Sequence, residues 1–251
     1  MNLQMMEERL QAFLPNPSVY RPFKAVFHME TPISLAHPWI NGDALISVPL
    51  LRSLLGDEFY NLPTKLPLPM DELLKLPLKR SHGVYHASAS IFDTDKLFLN
   101  TFYKRFDTEN VDTFVKSKKN KIIRGQGFFK DCMVRTPYKP CKEVTFYFNG
   151  DMALCKKLLE AIPSLGKDRA KGFGIVNRVE VTAEATDKSL FDGDVCMRPI
   201  PFKAMKYRGI PEHTMQLTYK IPYWARNKAT MCCVPGARIL FSEVEACFHE
   251  S

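Results

Sequence analysis

Ile162-Pro-Ser-Leu-Gly166-Lys-Asp-Arg169-Ala-Lys171-Gly172-Phe-Gly174-Ile-Val176 separates an amphipathic helix pattern from an alternating strand pattern. Three glycines and three cations fall within the nine residues from Gly166 to Gly174. Glycine permits positive φ and close approach of the backbone, and clustered N–H groups beside Lys and Arg form a concavity for anions. The stretch, called the glycine loop below, therefore predicts contact with a phosphate-bearing partner.

Two familiar nucleotide-binding loops do not fit this stretch. A Walker A loop runs Gly-x-x-x-x-Gly-Lys-Ser/Thr from a strand into a helix. Here Lys171 precedes Gly172, and the loop leads from a helix into a strand. A dinucleotide fingerprint needs a third glycine at the position of Asn177. Binding of ATP or NAD through this loop is therefore not expected.

The segments on either side of the loop predict a strand, a helix and a second strand. A period-two pattern ends at Asn149-Gly150, and apolar residues then recur at helical spacing until Pro163. The apolar positions of the first strand are Val144, Phe146 and Phe148. The apolar positions of the second strand, which we expect to share one face, are Ile175, Val179, Val181 and Ala183.

The first half of the chain predicts a similar order. Residues 1–14 show a short helical pattern, and Phe23 to Met29 alternates as a strand. A helix follows to about Leu55; Pro49 either kinks it or stands in the first turn of a shorter helix that is capped by Ser47. Val84 to Phe92 predicts the next strand.

These elements follow a βαββαβ plan, so we predict an α+β protein with a ferredoxin-like (RRM-like) core. We expect an N-terminal extension over residues 1–20 and the core over residues 21–185, with a basic arm inserted at about 100–142. A β-rich C-terminal extension is expected over residues 186–251, with strands at Met215 to Tyr219 and Ala237 to Glu245.

The charge balance favours a polyanionic partner. A net charge of +8 and a pI near 9.1 create a surface potential that attracts phosphates, although moderate basicity is also common in proteins that bind none. Between Lys104 and Lys142, eleven Lys and Arg residues stand against four Asp and Glu. Periodicity is weak there, so we expect either a loop or a twisted hairpin.

The seven cysteines lack zinc-binding spacing and contain no Cys-x-x-Cys, which favours free, mostly buried thiols in a reducing cytosol. Glu7, Glu8 and Arg9 stand where a signal peptide would be apolar, and no apolar run approaches the length of a membrane span. We therefore expect a cytoplasmic protein without a metal or another cofactor.

The order of helix, basic glycine loop and Gly172-Phe-Gly174-Ile opening the last strand resembles the RAMP superfamily of CRISPR proteins. Three further segments resemble the type IV CRISPR subunit that corresponds to the handle-binding, backbone-capping protein (Cas five-type) of type I systems. They are Glu30-Thr-Pro-Ile33, Trp39-Ile-Asn-Gly-Asp43-Ala-Leu and Val84-Tyr-His86-Ala-Ser88-Ala. The resemblance covers about residues 20–185.

This resemblance implies a noncatalytic subunit that holds the 5′ handle of a crRNA and caps a filament of backbone subunits. The implied partners are crRNA and the CRISPR backbone and large subunits, with a processing endoribonuclease and an accessory helicase as further ones, and no membrane. The candidate RNA-binding residues of the loop and the basic arm are Gly166, Lys167, Arg169, Lys171, Gly172, Phe173, Gly174, Lys118, Lys119, Lys121, Arg124, Lys130 and Arg135. The competing interpretation is that the loop only shapes a turn and that the arm is a solvated charged segment.

One segment suggests catalysis instead. His82-Gly-Val-Tyr85-His86 carries two histidines four residues apart, and metal-independent RNA cleavage uses such groups as acid and base. An endoribonuclease of the same superfamily, with His82, His86 and Tyr85 as candidates, is therefore the alternative function. The competing interpretation is that these histidines are structural, and a metal pair lacks a third ligand. A general RNA- or protein-binding module of the same fold is a third possibility.

Overall fold

A computed structural model describes residues 3–62, 69–81, 83–105, 125–127, 130–205, 209–223 and 225–240. The α-helices within them are α1 (Leu3–Ala12), α2 (Gly42–Leu55), α3 (Met70–Leu73) and α4 (Met152–Glu160). The strands within them are β1 (Tyr20–Met29), β2 (Ile33–Ser34), β3 (Arg80–Ser81), β4 (Val84–Tyr85), β5 (Ile91–Phe92), β6 (Phe98–Lys104), β7 (Cys132–Lys139), β8 (Glu143–Asp151), β9 (Val176–Ala183), β10 (Phe191–Asp192), β11 (Val195–Cys196), β12 (Ile200–Pro201), β13 (Ile210–Pro211), β14 (Thr214–Leu217), β15 (Thr230–Cys233) and β16 (Ile239–Leu240).

The central sheet has four antiparallel strands in the order β5-β8-β1-β9. β1 pairs with β8 so that Phe23 lies opposite Phe148 and Ala25 lies opposite Phe146. Because side chains alternate between the two faces of a sheet, these residues share one face, and all of them are buried. The alternating patterns of β1 and β8 therefore build one side of the main core.

All four of the described α-helices contribute apolar side chains to that core, α3 through Leu73. The buried helical residues in it include Met6 and Leu10 of α1, Ile46 and Leu50 of α2, and Leu158 and Leu159 of α4. Removing each large apolar side chain from water stabilises the fold by about 1.5–3 kcal/mol. The rings of Phe23 and Phe148 stack with centroids 5.2 Å apart. The mixed α/β class with antiparallel sheets is thus confirmed.

Helix α2 begins at Gly42 and continues through Pro49. The shorter helix capped by Ser47 is therefore wrong, since the Ser47 hydroxyl donates within the helix to the Ala44 carbonyl oxygen at 2.9 Å. A proline removes one backbone hydrogen bond from a helix interior. The buried face that includes Ile46, one turn before the proline, keeps the helix packed on the sheet.

The single strand expected from Val84 to Phe92 is wrong, because the segment forms only the short strands β4 and β5. Its backbone partners change from residue to residue. The Arg198 guanidinium donates to the carbonyl oxygens of Tyr85 and Ala87, and the Ala89 N–H donates to a carbonyl oxygen in the C-terminal part of the chain. Residues 86–92 still run antiparallel beside β8, since the Asn149 N–H donates to the His86 carbonyl oxygen at 3.0 Å and the Ser88 N–H donates to the Tyr147 carbonyl oxygen at 2.8 Å. The ladder with β8 is broken between the bridge at Ala87 and the pairing of β5.

Two strand boundaries differ from the sequence pattern. β8 passes through Asn149-Gly150 to Asp151, because β1 extends back to Tyr20 and pairs with those residues. β9 pairs with β1 with a register shift at its start, so Val176 packs against the core and Ile175 is 36% exposed. The expectation that Ile175 shares a face with Val179 and Val181 is therefore wrong.

The region of weak periodicity contains an antiparallel ribbon. β6 and β7 pair continuously from Phe98 opposite Tyr138 to Lys104 opposite Cys132. β2 pairs with the other edge of β7, which gives a sheet in the order β2-β7-β6. Hairpin-like pairing is therefore what the described residues show. Residues 106–124 and 128–129 lie outside them.

The C-terminal part of the chain forms small sheets, one of them in the order β12-β15-β14. It has its own buried cluster, which consists of Cys196, Ile200, Cys233, Ala237 and Ile239. β14 overlaps the strand expected from Met215 to Tyr219 but begins one residue earlier and ends at Leu217. Of the strand expected from Ala237 to Glu245, only Ile239–Leu240 is a described strand. The proposed domain boundaries stay a prediction.

The six cysteines among the described residues are free thiols, and five of them are buried, as expected. In the described part of the chain, no helix combines the length and the apolar character that a membrane span requires. The same residues contain no group of three or more His, Cys, Asp or Glu side chains that is arranged to hold a metal ion.

Candidate nucleic-acid interface

Backbone hydrogen bonds fix the glycine loop to the segment that follows β1. The Lys167 N–H donates to the Ser34 carbonyl oxygen at 2.7 Å, and the Gly174 N–H donates to the Pro32 carbonyl oxygen at 2.8 Å. The two ends of the loop also meet each other, since the Leu165 N–H donates to the Gly174 carbonyl oxygen at 2.8 Å. The loop is therefore anchored at both ends on one framework.

The three glycines have different structural roles. All have positive φ, namely +80° at Gly166, +87° at Gly172 and +71° at Gly174. A Cβ atom would lie 2.3 Å from the Ser34 carbonyl oxygen at Gly166 and 1.9 Å from the Leu165 carbonyl oxygen at Gly174, whereas at Gly172 it would meet open space. Close backbone packing thus requires two of the glycines, and the loop conformation alone requires the third.

The backbone N–H groups of the loop are partly used inside the protein. The Gly174 N–H donates to Pro32, and the Gly172 N–H donates to the Arg169 carbonyl oxygen at 3.0 Å. The side chains of Lys167, Arg169 and Lys171 are exposed. Contact between this loop and a phosphate would therefore rely mainly on the side-chain cations.

Asp168 lies among these cations and offsets part of their charge. Its carboxylate is 2.9 Å from Lys171 Nζ and 3.9 Å from Lys167 Nζ. The hydrogen bond from Lys171, with the positive charges of both lysines, lowers the pKa of Asp168. The loop therefore keeps a net positive charge with an internal counter-ion that orients Lys171.

The glycine loop packs against one face of the β6–β7 ribbon. The buried ring of Phe173 lies 5.9 Å from the ring of Tyr138, which stacks on Phe98 at 5.8 Å. Lys171 Nζ lies 5.2 Å from the centre of the Phe102 ring, which is a cation–π contact. The structure thus joins the loop and the base of the predicted basic arm into one surface, which we call the loop–ribbon surface.

The opposite face of the ribbon carries exposed apolar side chains. Register and alternation place Leu99, Tyr103 and Met133 on that face, together with Arg135. Leu99 is 63% exposed and Tyr103 is 65% exposed. An apolar face of this kind, edged by a cation, is typical of a contact surface for another macromolecule.

A groove of about 860 Å³ lies between α2 and the glycine loop. Its lining includes the half-buried Trp39, together with Arg52 of α2 and the loop residues Lys167 and Arg169. Sequence reasoning did not select Trp39 or Arg52 as site residues. The signal for Trp39 was its place in the segment before α2 that carries the family resemblance.

The family of the chain follows from its similarity to known proteins. The family model described as CRISPR type IV associated protein Csf3 matches residues 81–235, which is more than half of the chain. The chain belongs to this family. The assignment to a type IV CRISPR protein is therefore confirmed.

Two further similarities are weaker. Adenylate cyclases of Salmonella typhimurium (strain LT2) and Salmonella typhi are 23% identical over 137 residues, or 55% of this chain, and the chain spans only 15% of their length. A chain in the cryo-EM structure of the type III-B Cmr-beta bound to cognate target RNA aligns with a TM-score of 0.37 and 10% identity, over 72% of this chain and 65% of that chain. Likeness at this level transfers no function to the Csf3-family chain.

The remaining candidate RNA-binding residues of this Csf3-family chain divide into two sets. Lys118, Lys119, Lys121 and Arg124 lie outside the described residues. Lys130 and Arg135 are exposed, the first just before β7 and the second within it. The structure therefore brings Arg135 to the ribbon, on the face opposite to the glycine loop.

The catalytic candidates are not grouped as the sequence suggested. His82 lies outside the described residues. The Tyr85 hydroxyl is 3.3 Å from both the Leu74 carbonyl oxygen and the Leu76 N–H, which ties it into the core, and burial raises its pKa. Both ring nitrogens of His86 are engaged, Nδ1 by Asp187 and Nε2 by Ser81, each at 2.8 Å.

Sequence reasoning missed Ser81 and Asp187 as partners of His86. Asp187 follows His86 by 101 residues, and the contact exists because the segment after β9 returns to the β3–β4 hairpin. No local motif signals such a pairing.

Proposed function

We infer that the central sheet, with α2 and α4, is a ferredoxin-like unit. The elements β1, α2, β5, β8, α4 and β9 follow one another in the chain, and the first and third of these strands are central in the sheet order β5-β8-β1-β9. All neighbouring pairs are antiparallel. This is the order that a split βαβ plan produces. In this arrangement the glycine loop leads into the last strand of the unit.

We propose that the protein is the noncatalytic subunit of a type IV CRISPR ribonucleoprotein that holds the 5′ handle of the crRNA. The observation that carries this proposal is the loop–ribbon surface. Exposed Lys167 and Arg169 stand beside Lys171, which is held over an aromatic ring of the ribbon. Membership of the Csf3 family supports the CRISPR context.

The chemistry of this surface suits single-stranded RNA. Lys and Arg contact phosphates without reading the sequence, while aromatic rings offer stacking platforms for unpaired bases. The net charge of +8 adds an attractive field for the RNA. The groove beside the loop gives room for a nucleotide next to Arg52 and Arg169.

The proposed partners are crRNA, the backbone subunits that this protein caps, and the large subunit, with a processing endoribonuclease and an accessory helicase as further members. The exposed apolar face of the ribbon, with Leu99, Tyr103 and Met133, supports contact with a protein or RNA beyond the loop. We also propose the core over residues 21–185 as the RNA-binding unit and residues 186–251 as an appended part.

Co-purification tests the proposed function. The protein is expressed with the other type IV subunits and a crRNA, and the RNA retained by the tagged protein is measured. We expect the wild type to retain RNA of crRNA length and Lys167→Glu/Arg169→Glu to lose most of it, because two phosphate contacts become repulsive.

Lys203→Glu/Arg238→Glu is the matched control. It makes the same charge change at two exposed cations in the C-terminal part, and it should retain RNA like the wild type. Equal retention by the loop variant and the wild type would contradict a role of the loop in RNA binding.

A further inference from the structure

Ser81, His86 and Asp187 form a hydrogen-bonded chain that shares no residue with the loop–ribbon surface. His86 Nδ1 lies 2.8 Å from Asp187 Oδ2, and His86 Nε2 lies 2.8 Å from Ser81 Oγ. Nucleophilic serine centres have this order of carboxylate, imidazole and hydroxyl, and they are recognised by geometry rather than by order in the sequence. The three hydrogen-bonded residues therefore have the connectivity of a centre with an activated serine.

The carboxylate of Asp187 sets the direction of the hydrogen bonds in this chain. Burial alone would raise the pKa of Asp187, but hydrogen bonds from His86, Ser189 and Asn149 hold this pKa well below its usual range. An ionised carboxylate only accepts hydrogen bonds. Nδ1 of His86 therefore carries a proton and donates to Asp187, and in the tautomer with a single proton Nε2 accepts the hydrogen bond from the Ser81 hydroxyl.

Further contacts hold the carboxylate and the imidazole in place. Asp187 Oδ2 also accepts from Asn149 Nδ2 at 2.7 Å, and Oδ1 accepts from the Ser189 N–H at 3.0 Å. The backbone N–H of His86 donates to the backbone carbonyl oxygen of Lys79 at 2.8 Å. Such supporting bonds restrict the geometry of a catalytic group before a substrate binds.

A cavity of about 460 Å³ adjoins the three residues, which form part of its lining. The rest of the lining is Leu190, Phe191, Gly193 and Ala204. Ser81 is half-buried, so its hydroxyl is within reach of a small molecule in the cavity. These four residues suit a short acyl chain, and Gly193 leaves the wall without a side chain at its position.

We propose that Ser81 is the nucleophile of an esterase-type centre, with His86 as general base and acid and Asp187 as the positioning residue, acting on esters of small apolar carboxylic acids. Ser81 Oγ attacks the ester carbonyl carbon, and its proton passes to His86 Nε2. The C–O bond to the alcohol then breaks, and the alcohol leaves with that proton. Water attacks the acyl-serine in the same way, which releases the acid and restores Ser81.

This activity is independent of the proposed RNA binding and differs from RNA cleavage. Cleavage by a 2′-OH requires an imidazole nitrogen that is free to take the 2′-OH proton. In His86, Asp187 holds Nδ1 and Ser81 holds Nε2. The geometry therefore favours attack by Ser81 itself.

A fluorophosphonate probe tests the proposal on the full-length chain, because it reacts with activated serines. We expect one equivalent of adduct by intact-mass spectrometry, mapped to the peptide that contains Ser81. Ser81→Ala should abolish the adduct. Ser53→Ala, which changes an exposed serine of α2, is the control and should label like the wild type.

The labelling rate of Asp187→Asn distinguishes a positioning role of Asp187 in the reaction from a purely structural one. An amide next to Nδ1 favours the wrong tautomer, so labelling of the still-folded variant should slow by a factor on the order of 10³–10⁴. Lys167→Glu/Arg169→Glu should label at the wild-type rate, which separates this proposal from the RNA-binding one.

Two outcomes would overturn the proposal. In the first, the folded wild type gains no adduct on Ser81 under conditions that label a known serine esterase. In the second, Ser81→Ala is labelled as fast as the wild type. Because the adduct is mapped on the wild type, the first outcome does not depend on the folding of any variant.

Discussion

At Gly174 a side chain has no room, whereas at Gly172 it would point into open space. Both residues have positive φ, so replacing either one by an L residue with a Cβ lowers the stability of the folded state. Only Gly174 also meets a backbone oxygen, that of Leu165. Single-residue changes therefore separate the conformation of the loop from its packing.

We expect Gly172→Ala to lower the free energy of unfolding by about 1–2 kcal/mol, which is the cost of the left-handed conformation. Gly174→Ala should cost about 3 kcal/mol or more, because the backbone must also move away from the added methyl group. Urea unfolding of both variants measures the difference. Equal losses of stability would show that the packing around Gly174 is not as close as described.

At the scale of elements, the β6–β7 ribbon is attached to the glycine loop through aromatic contacts. Phe98, Tyr138 and Phe173 form a row of rings between the ribbon and the loop. An isolated two-stranded ribbon is marginally stable in water, so the row and the pairing with β2 hold the base of the arm in place. Tyr138 is the middle member of the row.

We predict that Tyr138→Ala loosens the ribbon without unfolding the central sheet. Hydrogen exchange of the β6 and β7 amides should speed up by about tenfold, because losing the two ring contacts removes on the order of 1–2 kcal/mol. Tyr103→Ala, on the exposed face of the same ribbon, is the control and should leave exchange unchanged. Equal exchange in the two variants would mean that the row does not anchor the arm.

At the scale of the whole molecule, one buried cation links the main core to the C-terminal part. Arg198 is 1% exposed and donates to Asp43 of α2 at 3.2 Å and to the Tyr223 hydroxyl at 3.1 Å. Burial opposes its charge, but the Asp43 carboxylate beside it raises the pKa of Arg198. The guanidinium also donates to the carbonyl oxygens of Tyr85 and Ala87, in the segment that leads from β4 to β5.

Arg198→Met should destabilise the protein by about 3–5 kcal/mol, because it leaves the buried Asp43 carboxylate without a counter-ion. Arg238→Met changes an exposed arginine in the same part of the chain and should stay within about 0.5 kcal/mol of the wild type. Thermal and urea unfolding measure both. Similar losses of stability in the two variants would show that Arg198 is not the buried counter-ion of Asp43, and so would a failure of Asp43→Leu to recover any of the loss in Arg198→Met.

Elements with a clear period were predictable from the sequence. β1, α4 and β9 follow from alternation or helical spacing, and the glycine loop follows from its position between α4 and β9. The break in the strand expected from Val84 to Phe92 was not predictable, since the partners of this segment, which include Arg198 and β8, lie far away in the sequence. In the candidate site, the exposed cations of the glycine loop could be predicted from the sequence.

The tertiary contacts that hold the candidate site together could not be predicted from the sequence. The packing of Phe173 on Tyr138 and the pairing of His86 with Asp187 join residues that are far apart in the chain. Such contacts depend on the tertiary arrangement of elements, which local patterns do not encode.

The central claim is that the glycine loop holds the backbone of a guide RNA, and the salt dependence of binding tests it most directly. Affinity of the purified protein for a synthetic crRNA handle is measured across salt concentrations for the wild type, for Lys167→Glu/Arg169→Glu and for the control Lys203→Glu/Arg238→Glu. For a single strand, each phosphate contact contributes about 0.7 to the slope of log affinity against log salt concentration. We predict that the loop variant binds more weakly and that its slope is smaller by about 1.4, while the control matches the wild type. A loop variant with the wild-type affinity and slope would contradict the claim.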